Sequence, residues 1–289
     1  MSDKDIDEVT GIETTGHEWD GIKELDTPMP RWWLWTFYAT IVFAVGYAIA
    51  YPAWPLITTS TKGLLGYSSR AELTAQMEAS EAAKAGYLQE VAASTVDEII
   101  ADDNLRTFAE AAGAAAFRVN CVQCHGSGAQ GSPGYPNLND DDWLWGGSPE
   151  DIRLTIAHGV RFDDDLDTRF SEMPSFSDLL EPVEITWLAN HVTTLSGHES
   201  SLDTADLEEG AAIYMDFCAS CHGDEGEGSP ALGAPDLSDA IWLYGSSVSE
   251  ISRQIRNPRH GSMPAWEARL GETVVKELAV YVHSLGGGE

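Results

Sequence analysis

The sequence predicts an all-α, loop-rich chain without a sheet: one N-terminal membrane-spanning helix followed by two tandem copies of one small helical module. Three observations carry this. Residues 32–51 form a run of twenty without a charge. The only four cysteines fall into two C-x-x-C-H sequences, at 121–125 and 218–222. Around each of these, glycine, proline and aromatic landmarks recur at matching offsets. A chain of 289 residues suits one or two domains with accessories, and 43% hydrophobic content is enough for packed cores.

Charge narrows the function before any motif does. Lys and Arg number 16 against 47 Asp and Glu, a formal net charge of −31. That excludes a nucleic-acid binder, which needs a basic footprint, and a polybasic lipid binder equally. An acidic surface attracts cations and basic protein partners, an attraction that weakens with salt.

Residues 1–31 read as a polar tail, with nine acidic residues against Lys4, Lys23 and Arg31. Residues 32–54 read as a transmembrane anchor. At ~1.5 Å per residue, a twenty-residue helix spans about 30 Å, the thickness of a bilayer's hydrocarbon core. Trp32, Trp33 and Trp35 at one end and Tyr47, Tyr51 and Trp54 at the other are interface residues, and Pro52 and Pro55 stop the helix. A cleaved signal peptide would need a basic segment before it, and an acidic tail precedes this one. Residues 55–107 read as a linker. Within it, 70–91 places Leu73, Met77, Tyr87, Leu88 and Val91 near one helical stripe, either a helix lying on another surface or a solvated spacer.

The two modules read as residues 108–198 and 203–289. Gly113 and Gly210 each lie eight residues before the first cysteine, followed by Phe117 and Tyr214. Pro136-Asn137-Leu138 corresponds to Pro235-Asp236-Leu237, Trp143-Leu144-Trp145-Gly146 to Trp242-Leu243-Tyr244-Gly245, and Met173-Pro174 to Met263-Pro264. From histidine to methionine the first copy is the longer, 48 residues against 41, and the run 161–169 lies in that longer stretch. A first helix is expected to end at the cysteines. The glycine in it lets another helix approach closely, with the module's last helix, near 188–195 or 278–285, as the natural partner.

C-x-x-C-H is the attachment sequence of c-type haem. Cys121 and Cys124, and Cys218 and Cys221, would form thioethers to two covalently bound haem c groups, with His125 and His222 as proximal iron ligands. A zinc site would need two pairs lying 97 residues apart in separate modules to converge. A thioredoxin-like pair would need a strand–helix setting, and a disulfide explains neither histidine. Of six methionines, Met1, Met29, Met77 and Met215 lack a repeat partner, whereas Met173 and Met263 recur. A proline after each holds the methionine extended, aiming its thioether at the iron as distal ligand. Such ligation raises the potential and closes the sixth position, which gives an electron carrier without its own active site.

The remaining histidines, His158, His191, His198, His260 and His283, have no matched offsets, and His17 lies in the tail. His260 stands three residues before Met263, as a competing ligand or a hydrogen-bonding loop residue. Asp163, Asp164, Asp165 and Asp167 could chelate calcium, form a solvated loop or dock a basic partner. No nucleophile–base constellation or phosphate loop is visible. Covalent c-haem attachment takes place outside the bacterial cytoplasmic membrane, so the modules are expected in the periplasm and the N-terminus in the cytoplasm.

The stretch GHEWDGIKELDTPMPRWWLWTFYATIVFAVGYAIAYPAWP (16–55), joined to two such modules, resembles the dihaem membrane-anchored subunit III of cbb3-type cytochrome c oxidase. The resemblance runs from His17 through the second Met-Pro. It implies two class I cytochrome c domains on a single-pass anchor in the bacterial inner membrane, within a respiratory complex. It implies partners too: a soluble or membrane-anchored donor cytochrome c, a monohaem subunit, and the oxygen-reducing catalytic subunit. A basic face on the donor would suit the acidic surface. Sequence order pairs each methionine with its own module's haem, while the resemblance implies an exchange, Met263 on the first and Met173 on the second. Spacing leaves both open. A dihaem peroxidase and a stand-alone anchored cytochrome are the alternative functions.

Overall fold

The computed structural model describes residues 5–287; the first four residues of the tail and the last two of the second module lie outside the described residues. The chain divides into two compact units at Ala83.

In the first unit, the expectation of no sheet is corrected by a hairpin. Strands β1 (Thr14–Trp19) and β2 (Ile22–Leu25) pair antiparallel, with Thr14 opposite Leu25 and Trp19 opposite Ile22. The turn is Asp20-Gly21, with φ of 51° and 85°, the two-residue connection whose twist matches that of the strands. That Asp-Gly pair was the sequence signal, hidden inside a segment whose acidity reads as a tail. Helix α1 (Arg31–Ala50) follows, twenty residues long and with no buried side chain. Its apolar surface faces outward on all sides and its length suits a bilayer. Beyond it the chain turns back, and the amides of Leu64 and Leu65 donate to the carbonyls of Ile49 and Ala50 at 2.9 and 3.0 Å, satisfying groups a helix end leaves open.

Helix α2 (Ser69–Ala93) leaves Leu73 and Met77 exposed. Packing begins only near its end, where Tyr87 stacks on Phe108 with ring centroids 5.0 Å apart and Val91 is fully buried. The second unit then runs α3 (Val96–Ala101), α4 (Asp103–Asn120), α5 (Val122–His125), α6 (Pro149–His158), α7 (Pro182–Leu195), α8 (Thr204–Phe217), α9 (Ala219–His222), α10 (Val248–Arg256), α11 (Glu267–Leu270) and α12 (Glu272–His283). Side chains start many of these. Thr95 and Glu98 form a capping box on α3, Asp102 caps α4, and Asp203 caps α8. Helices α6 and α10 lie between the attachment motif and the Met-Pro pair of each module. Ser148 and Ser247 cap them, each accepting from the amide three residues on, at Asp151 and Glu250.

Two hydrophobic cores result, and the modules share them crosswise. Helix α12 packs on α4 and α6, enclosing Leu105, Phe117, Ile152, Val275 and Leu278. Helix α7 packs on α8 and α10, enclosing Ile185, Leu188, Tyr214, Ile251 and Ile255. Each glycine sits where expected, under a crossing backbone: Gly113 beneath Glu277 of α12, Gly210 beneath Trp187 of α7. The expectation that a module's last helix closes on its own first helix is therefore corrected. The eight residues 196–203 make α7 and α8 an αα-hairpin, and consecutive helices joined so briefly pack on each other. The first core then receives the remaining last helix, α12. Val91, Val96 and Ile99, from the stretch read as linker, complete it.

Helix α12 carries a buried acid into that core. Glu277 is 4% exposed and its Oε1 has no hydrogen-bond partner. Burial pushes its pKa up from 4.5 to about 7, against a smaller lowering by Lys84. A folded pKa above the unfolded one means the folded state holds the proton longer. Stability therefore falls as pH rises from 4.5 through about 7, and the full penalty stands above that. At pH 8 the Glu277→Gln variant is expected to be more stable by about 2–3 kcal/mol, the advantage vanishing near pH 4.5. Urea unfolding of the full chain in detergent at both pH values checks this.

Candidate functional site

Each half of the second unit holds one large cavity, of about 500 Å³ in the first and about 510 Å³ in the second. A short helix delivers the C-x-x-C-H residues to each. Cys121 ends α4 and α5 carries Cys124 and His125; Cys218 ends α8 and α9 carries Cys221 and His222. Cys121 and Cys218 are partly buried, whereas Cys124 and Cys221 are exposed, so each pair stands at a cavity rim. Burial pushes the Cys121 and Cys218 thiols up to about 11, with a smaller push from Cys124 and Cys221.

The histidines are oriented by the repeated proline motif. Nδ1 of His125 donates to the carbonyl of Pro136 at 3.0 Å, and Nδ1 of His222 to that of Pro235 at 3.1 Å. With Nδ1 carrying the proton, Nε2 keeps a free lone pair, as a metal-binding imidazole requires. Burial holds both pKa values below the usual histidine range, opposed by those hydrogen bonds, which keeps the rings neutral.

The methionines cross over. Met263 lines the cavity of Cys121, Cys124 and His125, with Phe117, Ile156 and Leu278. Met173 lines the cavity of Cys218, Cys221 and His222, with Leu188, Tyr214 and Ile255. Met29, Met77 and Met215 are more than half exposed. Met263 is held by a two-way backbone pairing with Val160, N to O in both directions at 2.9 Å. The carbonyl of Met173 accepts from Nε2 of His260 at 3.1 Å. His260 is thus bound to the loop of one methionine while belonging to the loop of the other.

One wall separates the two cavities. Tyr135, Pro136, Asn137, Asp142, Arg161, Leu243 and His260 line both. The two landmark loops interlock there: the Gly134 amide donates to the Leu243 carbonyl at 2.8 Å, and Trp145 lies against Gly233. Asp142 in this wall has a pKa pushed up to about 6 by burial, then by Asp239, Asp140, Asp236 and Asp141.

The residues fit a covalently held haem. The linings are apolar walls for a flat macrocycle, with one neutral imidazole and one thioether per cavity and two thiols at the rim. The indole Nε1 of Trp242, which lines the second cavity, is buried with no partner, a donor suited to an anionic substituent such as a haem propionate. Its counterpart Trp143 donates to the Gly287 carbonyl.

Other singled-out residues lie elsewhere. His191 packs on Tyr214 with ring centroids 5.3 Å apart. Asp165 and Asp167 gather with His158, their ligand-type atoms within 4.8 Å of one another, while Asp163 and Asp164 do not join them. Nδ1 of His158 meets both carboxylate oxygens of Asp165 at 3.3 Å, which folds loop 161–169 onto the end of α6. The sequence reading missed Trp242 and the shared wall residue Arg161. The indole stood in the repeated landmarks, but nothing in spacing marks an arginine as lying between two cavities.

Comparison with known proteins gives matching results for both parts of the chain. Residues 11–58 match the family model of the N-terminal domain of cytochrome oxidase-cbb3, FixP. Residues 108–192 and 205–282 each match that of cytochrome c oxidase, cbb3-type, subunit III. The cbb3-type cytochrome c oxidase subunit FixPc of Rhizobium leguminosarum bv. viciae is 58% identical over 288 residues, covering 100% of both chains. Subunit FixP of Sinorhizobium medicae is 57% identical over 286 residues, covering 99% of this chain and 98% of its own. Subunit CcoP of Cereibacter sphaeroides is 53% identical over 278 residues, covering 96% and 95%.

Proposed function

Since the chain belongs to the subunit III family of cbb3-type cytochrome c oxidases, we propose that His125 with Met263, and His222 with Met173, hold the irons of its two haem c groups. The chain is the dihaem electron-transfer subunit of that oxidase, with two tandem cytochrome c domains behind a helical anchor. The haem c groups are covalently bound, and bound iron supplies a one-electron ferrous–ferric couple. The observation that carries the ligand assignment is that each cavity is lined by one C-x-x-C-H histidine and one Met-Pro methionine.

The chain's residues hold, insulate and tune. Cys121, Cys124, Cys218 and Cys221 anchor through sulfur. The Pro136 and Pro235 carbonyls fix the tautomer and angle of the two imidazoles. Methionine as second ligand favours the reduced state relative to a second imidazole and closes the open position, so the chain has no active site of its own. This favours an electron relay over a peroxidase-like dihaem enzyme, which needs a displaceable ligand. One preparation tests both points. Two haems per chain are expected by pyridine haemochrome, with no spectral change when the ferrous protein meets carbon monoxide. A carbon monoxide adduct, or fewer than two haems, refutes the reading.

Because c haems are attached outside the bacterial cytoplasmic membrane, the N-terminus lies in the cytoplasm and the haem domains in the periplasm. There the protein receives electrons from a soluble or membrane-anchored cytochrome c and passes them toward the monohaem and catalytic subunits. Beyond the tail, 38 acidic residues stand against 13 basic ones, and this excess draws a donor with a basic face, chiefly by raising the association rate. Electron transfer from such a donor is expected to slow as salt rises, and a stopped-flow rate that ignores ionic strength removes the steering.

A further inference from the structure

We infer that Arg161 is a positioning residue shared by both sites, one guanidinium setting both methionine loops at once; the inference rests on Met173 and Met263 being the distal ligands. Arg161 lines both cavities. Its Nε donates to the carbonyl of Gly261 at 2.7 Å and its Nη1 to the carbonyl of Ser171 at 2.8 Å. Gly261 stands two residues before Met263, and Ser171 two residues before Met173. The planar fork therefore spans the two loops and fixes their separation, since its donors cannot move independently.

The backbone of Arg161 is held as firmly as its side chain. Its carbonyl accepts from Oγ of Ser262 at 2.9 Å, and its amide donates to the Arg169 carbonyl at 2.9 Å. The preceding residue, Val160, makes the two-way pairing with Met263. At φ 49°, Arg161 occupies the left-handed region that a side chain seldom adopts. Such a conformation persists only where the surroundings over-determine it, and here it connects the Val160 pairing to the fork. His260 adds a second tie, from the Met263 loop to the Met173 carbonyl.

Charge acts with geometry. Arg161 lies half-buried in the wall between the cavities, and the Glu172 carboxylate acts on it only as the smallest of the influences on its charge, behind burial and Tyr244. A cation in a partly desolvated wall favours the electron-rich state on both sides of it. Arg161 opens the run 161–169, which lies in the first copy's longer stretch between histidine and methionine.

The test uses the full dihaem chain in detergent, carrying Arg161→Gln or Arg161→Lys. Each is also placed in Met173→His and Met263→His backgrounds, where a single sulfur-ligated iron remains. The readouts are covalent haem content, the sulfur-to-iron charge-transfer band of the ferric protein, and the two midpoint potentials. Arg161→Gln is expected to retain both haems, lower both potentials and weaken the sulfur band in each background. Arg161→Lys, which restores charge without the fork, is expected to recover the potentials more than the band. A change confined to one site, or to neither, overturns the inference. If Arg161→Gln loses haem, the lysine variant decides by the same criterion. Absence of a sulfur band in the unsubstituted protein refutes the methionine ligands instead, a separate outcome.

Discussion

Met263→His is expected to lower the potential measured at the first attachment site, that of Cys121 and Cys124, and Met173→His that at the second, of Cys218 and Cys221. A second imidazole stabilises ferric iron where a thioether stabilises ferrous iron, and axial ligands command a span of roughly 0.8 V. A fall on the order of 0.2 V is the expected size. Met263 is the methionine in the cavity with His125 although it lies 138 residues further along the chain, and Met173 is the one with His222. Redox titration of each variant, repeated with Cys121→Ala and Cys124→Ala so that only the second site remains, assigns the change. If Met173→His leaves the second site unchanged and lowers the first, each module ligates its own iron.

Gly113→Val and Gly210→Val are expected to disable the first and second sites respectively, through helices that the other module supplies or opens. A Cβ at Gly113 would collide with the Glu277 carbonyl and come within 2.7 Å of the Tyr281 Cβ; one at Gly210 would collide with the Trp187 carbonyl, with the carbonyl carbon 2.7 Å away. These obstacles are helix backbone, which cannot rotate aside. Overpacking a core costs about 1–3 kcal/mol and more where backbone must shift, so even the alanine variants are expected to lose about 3 kcal/mol. The valine variants should yield one haem per chain instead of two. Haem staining and thermal unfolding of both variants check this, and a valine variant that unfolds like the parent protein would show that α4 and α12, or α7 and α8, do not cross so closely.

The sequence was most legible where chemistry imposes a fixed local spacing. C-x-x-C-H is one short turn of chain, so the cysteines and histidines could be assigned from order alone. The charge-free run of residues 32–51 required a helix in lipid, and α1 runs over Arg31–Ala50. Local signals that went unread were still local: the Asp20-Gly21 turn between β1 and β2, and the serine caps of α6 and α10.

What the chain order alone determined was the inventory: an anchor, two modules, two glycine crossings, two attachment motifs and two methionines. Tertiary structure alone decided which partner each of them meets. In a tandem repeat both copies carry the same landmarks at matching offsets, so sequence order offers α7 and α12 alike as the partner of α4. The short connection between α7 and α8 breaks that tie, bringing α12 and Met263 to the first cavity while Met173 lines the second. Groups 100 residues apart, as the Arg161 guanidinium and the Gly261 carbonyl are, meet only through the tertiary fold.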